Sequence, residues 1–277
     1  RFSVKDVKKI TNDTIYTASV LHYKDGDKWD SLKVSIRARG NYRRANCYFP
    51  PLRVKISKED AKKTVFEGNR SLKLVLPCKS SKEADNDLIM KEFVCYQMFE
   101  PVTDYYFNTR LASIDFTDLS NKKVSHAMLK GFFIEDDDLV AKRHGGKIVE
   151  RKVLPQLLDT VNALRHDIFQ YMIANTDVSV TFMHNAKVME MEKGGTRKLI
   201  PLTYDFDMAG FVNAPYAEAN EMLGIGSVRE RLYRGFCRDP RNTQRVRQEY
   251  IAREAAIMGA LKAYEGSFQP KDYTGMV

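Results

Sequence analysis

The sequence predicts an α+β protein, with an antiparallel sheet in its first half and mainly helices in its second half. Apolar residues recur at every second position in several segments of the first half, which is the period of a strand with one buried face. Turn-forming pairs such as Asp25-Gly26 and Gly68-Asn69 separate these segments. After the acidic stretch at residues 135–138 and the pair Gly145-Gly146, the apolar period becomes that of a helix.

Alternation is clearest in residues 32–39, 52–56 and 72–76, where most polar positions are basic. These segments therefore predict three strands that share a basic face, formed by Arg37, Arg39, Arg53, Lys55 and Lys73. Further strands of an antiparallel meander are predicted at residues 14–23, 109–116 and 127–134.

The spacing of apolar residues predicts a helix over residues 87–99, with Asp87 as its N-cap. A second helix carries the stripe from Val161 to Met172 and ends near Asn175. A strand pair is predicted next, with its turn at residues 193–195, and then a final long helix over residues 241–263.

The formal charge of +9 and the pI near 9.2 favour anionic partners such as nucleotides or phosphorylated substrates, or else reflect a basic surface that maintains solubility. Nucleic acid is not expected, because the arginines of the last helix lack interleaved aromatic residues. No apolar run approaches the roughly 20 residues of a membrane helix. Because the chain starts at an arginine, we expect any upstream leader to have been removed.

Four cysteines are present, and their spacing does not suggest a zinc site. Cys47 and Cys78 are the pair expected to lie closest in the predicted sheet. They would form a disulfide in an oxidising compartment, or remain as buried thiols.

The segment TYDFDMAG places Asp205 and Asp207 at the end of a predicted strand. The period of two residues along a strand places both carboxylates on one face and Phe206 on the other. Adjacent ionised carboxylates favour a bound cation, usually magnesium where phosphates are present. The alternative is a solvated strand end.

The segment ANTDVSVTFMHN predicts a loop that presents Asp177, His184 and Asn185. Asp177 could accept or position a hydroxyl proton, and Asn185 could bind the same cation as Asp205. The alternative roles are structural, with Asn175 as a helix cap, Asp177 bonded to its own turn and His184 as a satisfied imidazole.

Lys73 lies on a predicted strand and Glu92 on the following helix, 19 residues further along the chain. The two side chains could form an ion pair. A lysine and a glutamate at this spacing are also typical of two separate surface charges. The order of the candidate groups along the chain is strand lysine, helix glutamate, loop aspartate and asparagine, then strand-end aspartate. This is the order of parts in a protein kinase.

On these features the chain resembles the kinase-like fold, and most closely the spore-coat CotH-type group of bacterial atypical kinases. The resemblance is carried by the segments RGNYRR, PPLRVKI, SLKLV, KEFVCYQMF, ANTDVSVTFMHN and IPLTYDFDMAG, which span residues 39–210. It implies a single two-lobed domain over residues 1–277, with a sheet-containing N-lobe over residues 1–135 and a mainly helical C-lobe over residues 136–277. An extracytoplasmic or cell-envelope location is also implied.

The resemblance further implies an ATP and magnesium site. Lys73 would contact the phosphates and Glu92 would orient it, while Asp177 would act as the catalytic-loop aspartate. Magnesium would be held by Asp205, Asn185 and Asp207. The basic residues Arg37, Arg39, Arg53 and Lys55 would lie over the phosphates, and Lys55 competes with Lys73 for the phosphate role.

The chain departs from ordinary kinases because it lacks the sequences GxGxxG, HRD, DFG and APE, and because Asp177 and Asn185 are eight residues apart instead of five. The expected activity is transfer of a phosphoryl group from ATP to a hydroxyl of a protein or small molecule. Two alternatives are a noncatalytic pseudokinase or envelope-associated scaffold, and a metal-dependent nuclease or phosphohydrolase.

Overall fold

The computed structural model describes residues 1–79, 83–120 and 125–276. These residues form a mixed α+β protein, as the sequence predicts. The chain divides into two compact units. Unit 1 comprises Arg1–Ile89 and Thr109–Asp136, and unit 2 comprises Met90–Asn108 and Asp137–Val277.

Unit 1 contains a six-stranded sheet in the order β1-β2-β3-β4-β6-β5, and each neighbouring pair is antiparallel. The strands are β1 (Thr17–Asp25), β2 (Lys28–Ala38), β3 (Leu52–Ile56), β4 (Ser71–Val75), β5 (Thr109–Asp118) and β6 (Ser125–Ile134). All six predicted strands are therefore present, with ends that differ by a few residues. The prediction succeeded because each strand buries one face and so follows the period of two.

The core of unit 1 lies on the apolar face of this sheet. Val34 and Ile36 of β2, Val54 of β3 and Leu72 of β4 are all less than 7% exposed and belong to one cluster. The polar residues between them therefore point to the opposite face, as the alternation predicts.

Helix α1 (Val4–Lys9) precedes β1, and two short helices, α2 (Tyr42–Asn46) and α3 (Lys58–Ala61), connect β2 to β3 and β3 to β4. The longer helix α4 (Glu83–Phe99) starts before the predicted position. Asp87 therefore lies within the helix and is not its N-cap, because a cap residue needs a non-helical backbone. Its side chain is instead buried, at 4% exposed.

Two long-range links stabilise unit 1. Cys47 and Cys78 form a disulfide, which decides between the two states that the sequence left open. Asp118, 2% exposed, accepts hydrogen bonds from the backbone N–H of Val4 at 3.1 Å and of Ser120 at 2.9 Å, and from the hydroxyl of Tyr48. Asp118 thus anchors the N-terminal helix to the end of β5.

Unit 2 contains an antiparallel three-stranded sheet in the order β7-β8-β9, together with helices. Its elements are α5 (Asp137–Arg143), β7 (Lys147–Val149), α6 (Thr160–Met172), β8 (Ala186–Lys193), β9 (Thr196–Thr203), α7 (Pro240–Lys262) and α8 (Pro270–Thr274). The predicted hairpin turn is confirmed, since Gly194 and Gly195 join β8 to β9 with φ of 61° and 69°.

Helix α6 packs against β9 and α7, and its N-terminus is capped by Asp159, whose carboxylate accepts the N–H of Asn162 at 3.1 Å. The chain between β9 and α7 contains little regular structure. In the part of the chain that the structure describes, every helix is too short or too polar to cross a bilayer.

Candidate functional site

The predicted basic face of unit 1 is a row across its central strands. Arg37 of β2 lies opposite Arg53 of β3, and Arg53 lies opposite Lys73 of β4. Like charges directly opposite one another destabilise a sheet unless other groups compensate. The fold therefore concentrates positive charge here at an energetic cost.

Carboxylates offset part of this charge. Arg37 forms an ion pair with Asp13, and Arg53 forms one with Asp136. The pKa of Arg37 is nevertheless lowered, first by burial and then by the positive charges of Arg53, Arg39 and Arg44. The guanidinium groups of Arg53, Arg39 and Arg44 are thus close enough to Arg37 to repel its positive charge.

Tyr16 adds an aromatic surface to the basic face. The Lys55 ammonium lies 4.3 Å from the centre of its ring, and the Arg37 guanidinium lies 5.4 Å from it. Arg39 follows β2 and donates its backbone N–H to Pro51 at 2.8 Å. The residues predicted to lie at the phosphates all belong to unit 1: Arg37, Arg39, Arg53, Lys55 and Lys73.

Lys73 and Glu92 are not surface charges. Lys73 is 4% exposed in unit 1, and Glu92 is 2% exposed in unit 2. Lysine and glutamate are rarely buried to this extent unless they are paired. Their burial removes the alternative in which they are two solvated side chains.

The loop that carries Asp177 is a compact turn in unit 2. Ser179 and His184 exchange two backbone hydrogen bonds of 2.9 Å, which close the loop between them. One Asp177 carboxylate oxygen accepts a bond from His184 Nε2 at 2.8 Å, and the other accepts one from Asn185 Nδ2 at 2.9 Å. Because a carboxylate only accepts, His184 Nε2 carries the proton. The structure thus brings together the three polar residues predicted for this loop.

A buried polar chain, formed by the side chains of Asn175, Gln170 and Thr203, supports the loop. Asn175, 2% exposed, donates to Gln170 Oε1 at 2.8 Å and accepts the backbone N–H of Asp177 at 3.0 Å. Gln170 in turn donates to the hydroxyl of Thr203, the last residue of β9, at 2.6 Å. Asn175 therefore connects helix α6 to the loop, which is more than the simple cap considered from the sequence.

Asn185 and Asp205 occupy the left-handed region of the backbone, with φ of 52° and 65°. Asparagine and aspartate tolerate this region better than most residues do. The backbone oxygen of Asn185 accepts the N–H of Tyr204 at 3.1 Å, which places Asn185 beside the residue preceding Asp205. The N–H of Asp205 donates to the hydroxyl of Tyr96 at 2.9 Å.

Asp205 and Asp207 have different surroundings. Strand β9 ends at Thr203, and Asp205 is not extended, so the strand alternation on which a shared face was predicted does not continue. Phe206 is fully buried against Tyr96, with ring centres 4.7 Å apart. Asp207 is 6% exposed and accepts the hydroxyl of Tyr216 at 3.2 Å.

The oxygen atoms available in unit 2 suit a hard cation. Within the described ranges, the Asp205 carboxylate and the Asn185 Oδ1 atom accept no hydrogen bond and form no ion pair. Carboxylate and amide oxygens are ligands that magnesium prefers. Among the described residues, no three His, Cys, Asp or Glu side chains lie close enough together to hold a metal. A site completed by an amide oxygen and by phosphates does not require such a group.

The sequence did not indicate Tyr16, Tyr96 or Tyr216 as part of these surroundings. Tyr96 contacts Asp205 across 109 residues of sequence, a separation at which no local pattern predicts a contact.

No protein-family model matches this chain, and no curated protein sequence matches it.

Proposed function

We propose that this chain is an ATP- and magnesium-dependent phosphotransferase of the two-lobed, kinase-like class, similar to the CotH-type atypical kinases. The acceptor is a hydroxyl group of a protein or small molecule. The observation that carries the proposal is the arrangement of Asp177, Asn185 and Asp205 in unit 2, where hydrogen bonds fix the first two and the third keeps an unpaired carboxylate.

The contact between Asn185 and Asp177 supports this proposal most directly. The Asn185 amide donates to both the carboxylate and the backbone oxygen of Asp177, at 2.9 Å and 2.8 Å. Both bonds use the amide nitrogen, which leaves the amide oxygen for a cation. One residue can therefore fix the hydroxyl-positioning aspartate and provide a metal ligand.

The basic face of unit 1 supplies positive charge, which binding of the ATP phosphates requires. Phosphoryl transfer depends on positioning and on neutralising phosphate charge. Arg37, Arg53 and Lys73 in one row, with Lys55 and Arg39 beside them, provide cations suited to polyphosphate. The candidate phosphate-binding cations thus belong to unit 1, and the candidate metal ligands belong to unit 2.

In the proposed reaction, Asp177 orients the acceptor hydroxyl and takes up its proton, while the hydroxyl oxygen attacks the γ-phosphorus and ADP leaves. Magnesium, held by Asp205, Asn185 and Asp207, would neutralise charge on the phosphates. Lys73 would contact the phosphates.

The disulfide between Cys47 and Cys78 supports a location outside the cytoplasm. Disulfides form and persist mainly in oxidising compartments. We therefore propose an extracytoplasmic or cell-envelope protein, in agreement with the expectation from the CotH-type resemblance.

One observation favours a second candidate, a nucleotide-binding module without transfer activity. Both carboxylate oxygens of Asp177 are already engaged, by His184 and by Asn185. If these bonds persist when ATP is bound, they compete with the acceptor hydroxyl for the lone pairs of the Asp177 carboxylate. A chain in which they prevail binds nucleotide without transferring phosphate.

Transfer of label from γ-labelled ATP tests the proposal in the variant Asp205→Asn. Asparagine keeps the left-handed backbone accessible but removes the charge. We expect transfer to fall by about 10²- to 10³-fold, as when other charge-stabilising groups are removed from active sites. The matched control is Asp104→Asn, which neutralises an exposed aspartate of the same unit. Equal transfer by the two folded variants would contradict the proposed site.

A further inference from the structure

A segment of unit 2 rich in arginine contacts helix α6 and the Asp177 loop through backbone carbonyls. We name residues 228–238 the arginine strap, after Arg231, Arg234 and Arg238. Arg231 donates to the carbonyl of Met172, the last residue of α6, at 3.1 Å. Arg238 donates to the carbonyl of Pro155 at 2.5 Å, before the start of the same helix.

Arg234 contacts the loop itself. Its Nη1 atom donates to the carbonyl of Thr176 and, at 3.3 Å, to the carbonyl of Val178. These two carbonyls are on either side of Asp177. One guanidinium group therefore fixes the backbone immediately before and after the candidate catalytic aspartate.

The arginine strap is closely packed at Val228, which lies beside Gly210. A methyl group added at Gly210 would lie 2.2 Å from the carbonyl oxygen of Val228 and 2.8 Å from the Cβ atom of Ala174. The N–H of Gly210 donates to the carbonyl of Ala174 at 3.0 Å. This packing leaves little room for the strap to shift relative to the start of the loop.

The position of Asp177 thus depends on two independent sets of contacts. His184 and Asn185 hold its carboxylate, and Arg234 holds its backbone. A group that must meet a hydroxyl at hydrogen-bond distance is sensitive to errors of about 1 Å, which can cost about 10²-fold in rate.

We propose that Arg234 is a positioning residue for phosphoryl transfer, which sets the place of Asp177 by bracketing its backbone. This inference rests on the proposed function. It assigns a role in catalysis to an exposed arginine that touches neither the candidate metal ligands nor the basic face in any described contact.

The test compares Arg234→Ala with Arg229→Gln, which removes an equal charge from an exposed position in the same strap. For Arg234→Ala we expect kcat to fall by about tenfold to hundredfold, while KM for ATP changes by less than about twofold. Guanidinium ion, added well below unfolding concentrations, should restore part of the lost kcat. A purely structural role would give neither this kcat-specific loss nor the rescue.

Hydrogen exchange of the loop provides a measurement that does not depend on activity. We expect the amides of residues 177–185 to exchange faster in Arg234→Ala than in Arg229→Gln, because two carbonyl contacts of the loop are lost. Arg231→Gln should leave exchange of the loop unchanged, since its bond is to α6.

The outcomes separate this inference from the proposed function. If the wild type transfers phosphate, but Arg234→Ala matches Arg229→Gln in kcat and in loop exchange, the positioning role is wrong and the proposed function stands. If the wild type neither binds ATP nor transfers phosphate, the proposed function is wrong, and the catalytic role of Arg234 is overturned with it.

Discussion

The two units hold their charged side chains in different ways. In unit 1 the cations Arg37, Arg53 and Lys73 occupy successive positions across regular strands, so the sheet register fixes their spacing. In unit 2, Asp177 and Asp205 lie on irregular backbone that hydrogen bonds maintain, through Asn185 and Tyr96 among others.

This difference indicates which substitutions each unit tolerates and which would disturb its structure. A single cation of the basic face can be replaced without changing the register of the strands, because backbone hydrogen bonds determine that register. In unit 2, Asp177 depends on the buried side chains of Asn175 and Gln170, whose loss leaves polar groups unsatisfied. We therefore expect stability and site geometry to be coupled more closely in unit 2.

The largest stability effect should come from the disulfide of unit 1. It closes a loop with a sequence separation of 31 residues, for which chain entropy predicts about 3–4 kcal/mol. We expect the double variant Cys47→Ser, Cys78→Ser to lose about this much unfolding free energy in urea. Cys237→Ser, which removes an exposed free thiol, is the control. Four reactive thiols in the unfolded wild type without reductant would show that the bond is absent.

A slightly smaller effect is expected in unit 2 from Asn175→Ala. The substitution leaves the Gln170 side chain and the Asp177 N–H without their partners, at a cost of about 2–4 kcal/mol. Urea unfolding gives the free energy, and Asn242→Ala in the first turn of α7 serves as a control. A loss no greater than that of the control would mean that the buried polar chain does not support the loop.

The smallest effect concerns Asp118 and depends on pH. Burial opposes its ionisation, but hydrogen bonds from Ser120, Tyr48 and Val4 outweigh burial and lower its pKa. The folded state therefore binds fewer protons than the unfolded state near the pKa of an unfolded aspartate, about 3.9. The resulting stability is present above that pH and is lost as pH falls through the folded pKa.

Comparison of the wild type with Asp118→Asn tests the predicted direction in which stability changes with pH. The wild type should be more stable by about 1–3 kcal/mol near neutral pH. The difference should shrink when the pH is lowered below about 4. A difference that stays constant, or grows, on acidification would contradict the assigned hydrogen bonds.

Much of unit 1 could be predicted because its strands repeat with a simple period. Residues 52–56 were predicted as a strand and form β3 (Leu52–Ile56). The strand β7 (Lys147–Val149), which has three residues, and the helix α5 (Asp137–Arg143), which has about two turns, were not predicted, because neither is long enough to show its own period. The start of α4 was placed too late because several polar residues before Asp87 are equally good caps.

The candidate site was predictable in residue type more than in geometry. The sequence predicts Asp177, Asn185 and Asp205 as site residues from their order along the chain. It could not reveal that Asp205 adopts a left-handed backbone, or that Tyr96 accepts its N–H, because these features depend on packing between distant segments.

Binding of ATP tests the central claim most directly, since it requires no knowledge of the acceptor. Thermal unfolding of the full chain should be measured with ATP and magnesium together, with each alone, and in Asp205→Asn. We expect stabilisation of the wild type by ATP with magnesium, about 2.7 kcal/mol at a ligand concentration 100 times the dissociation constant, and a clearly smaller effect in Asp205→Asn. An unchanged unfolding midpoint of the wild type at high ATP and magnesium would contradict a nucleotide site in this protein.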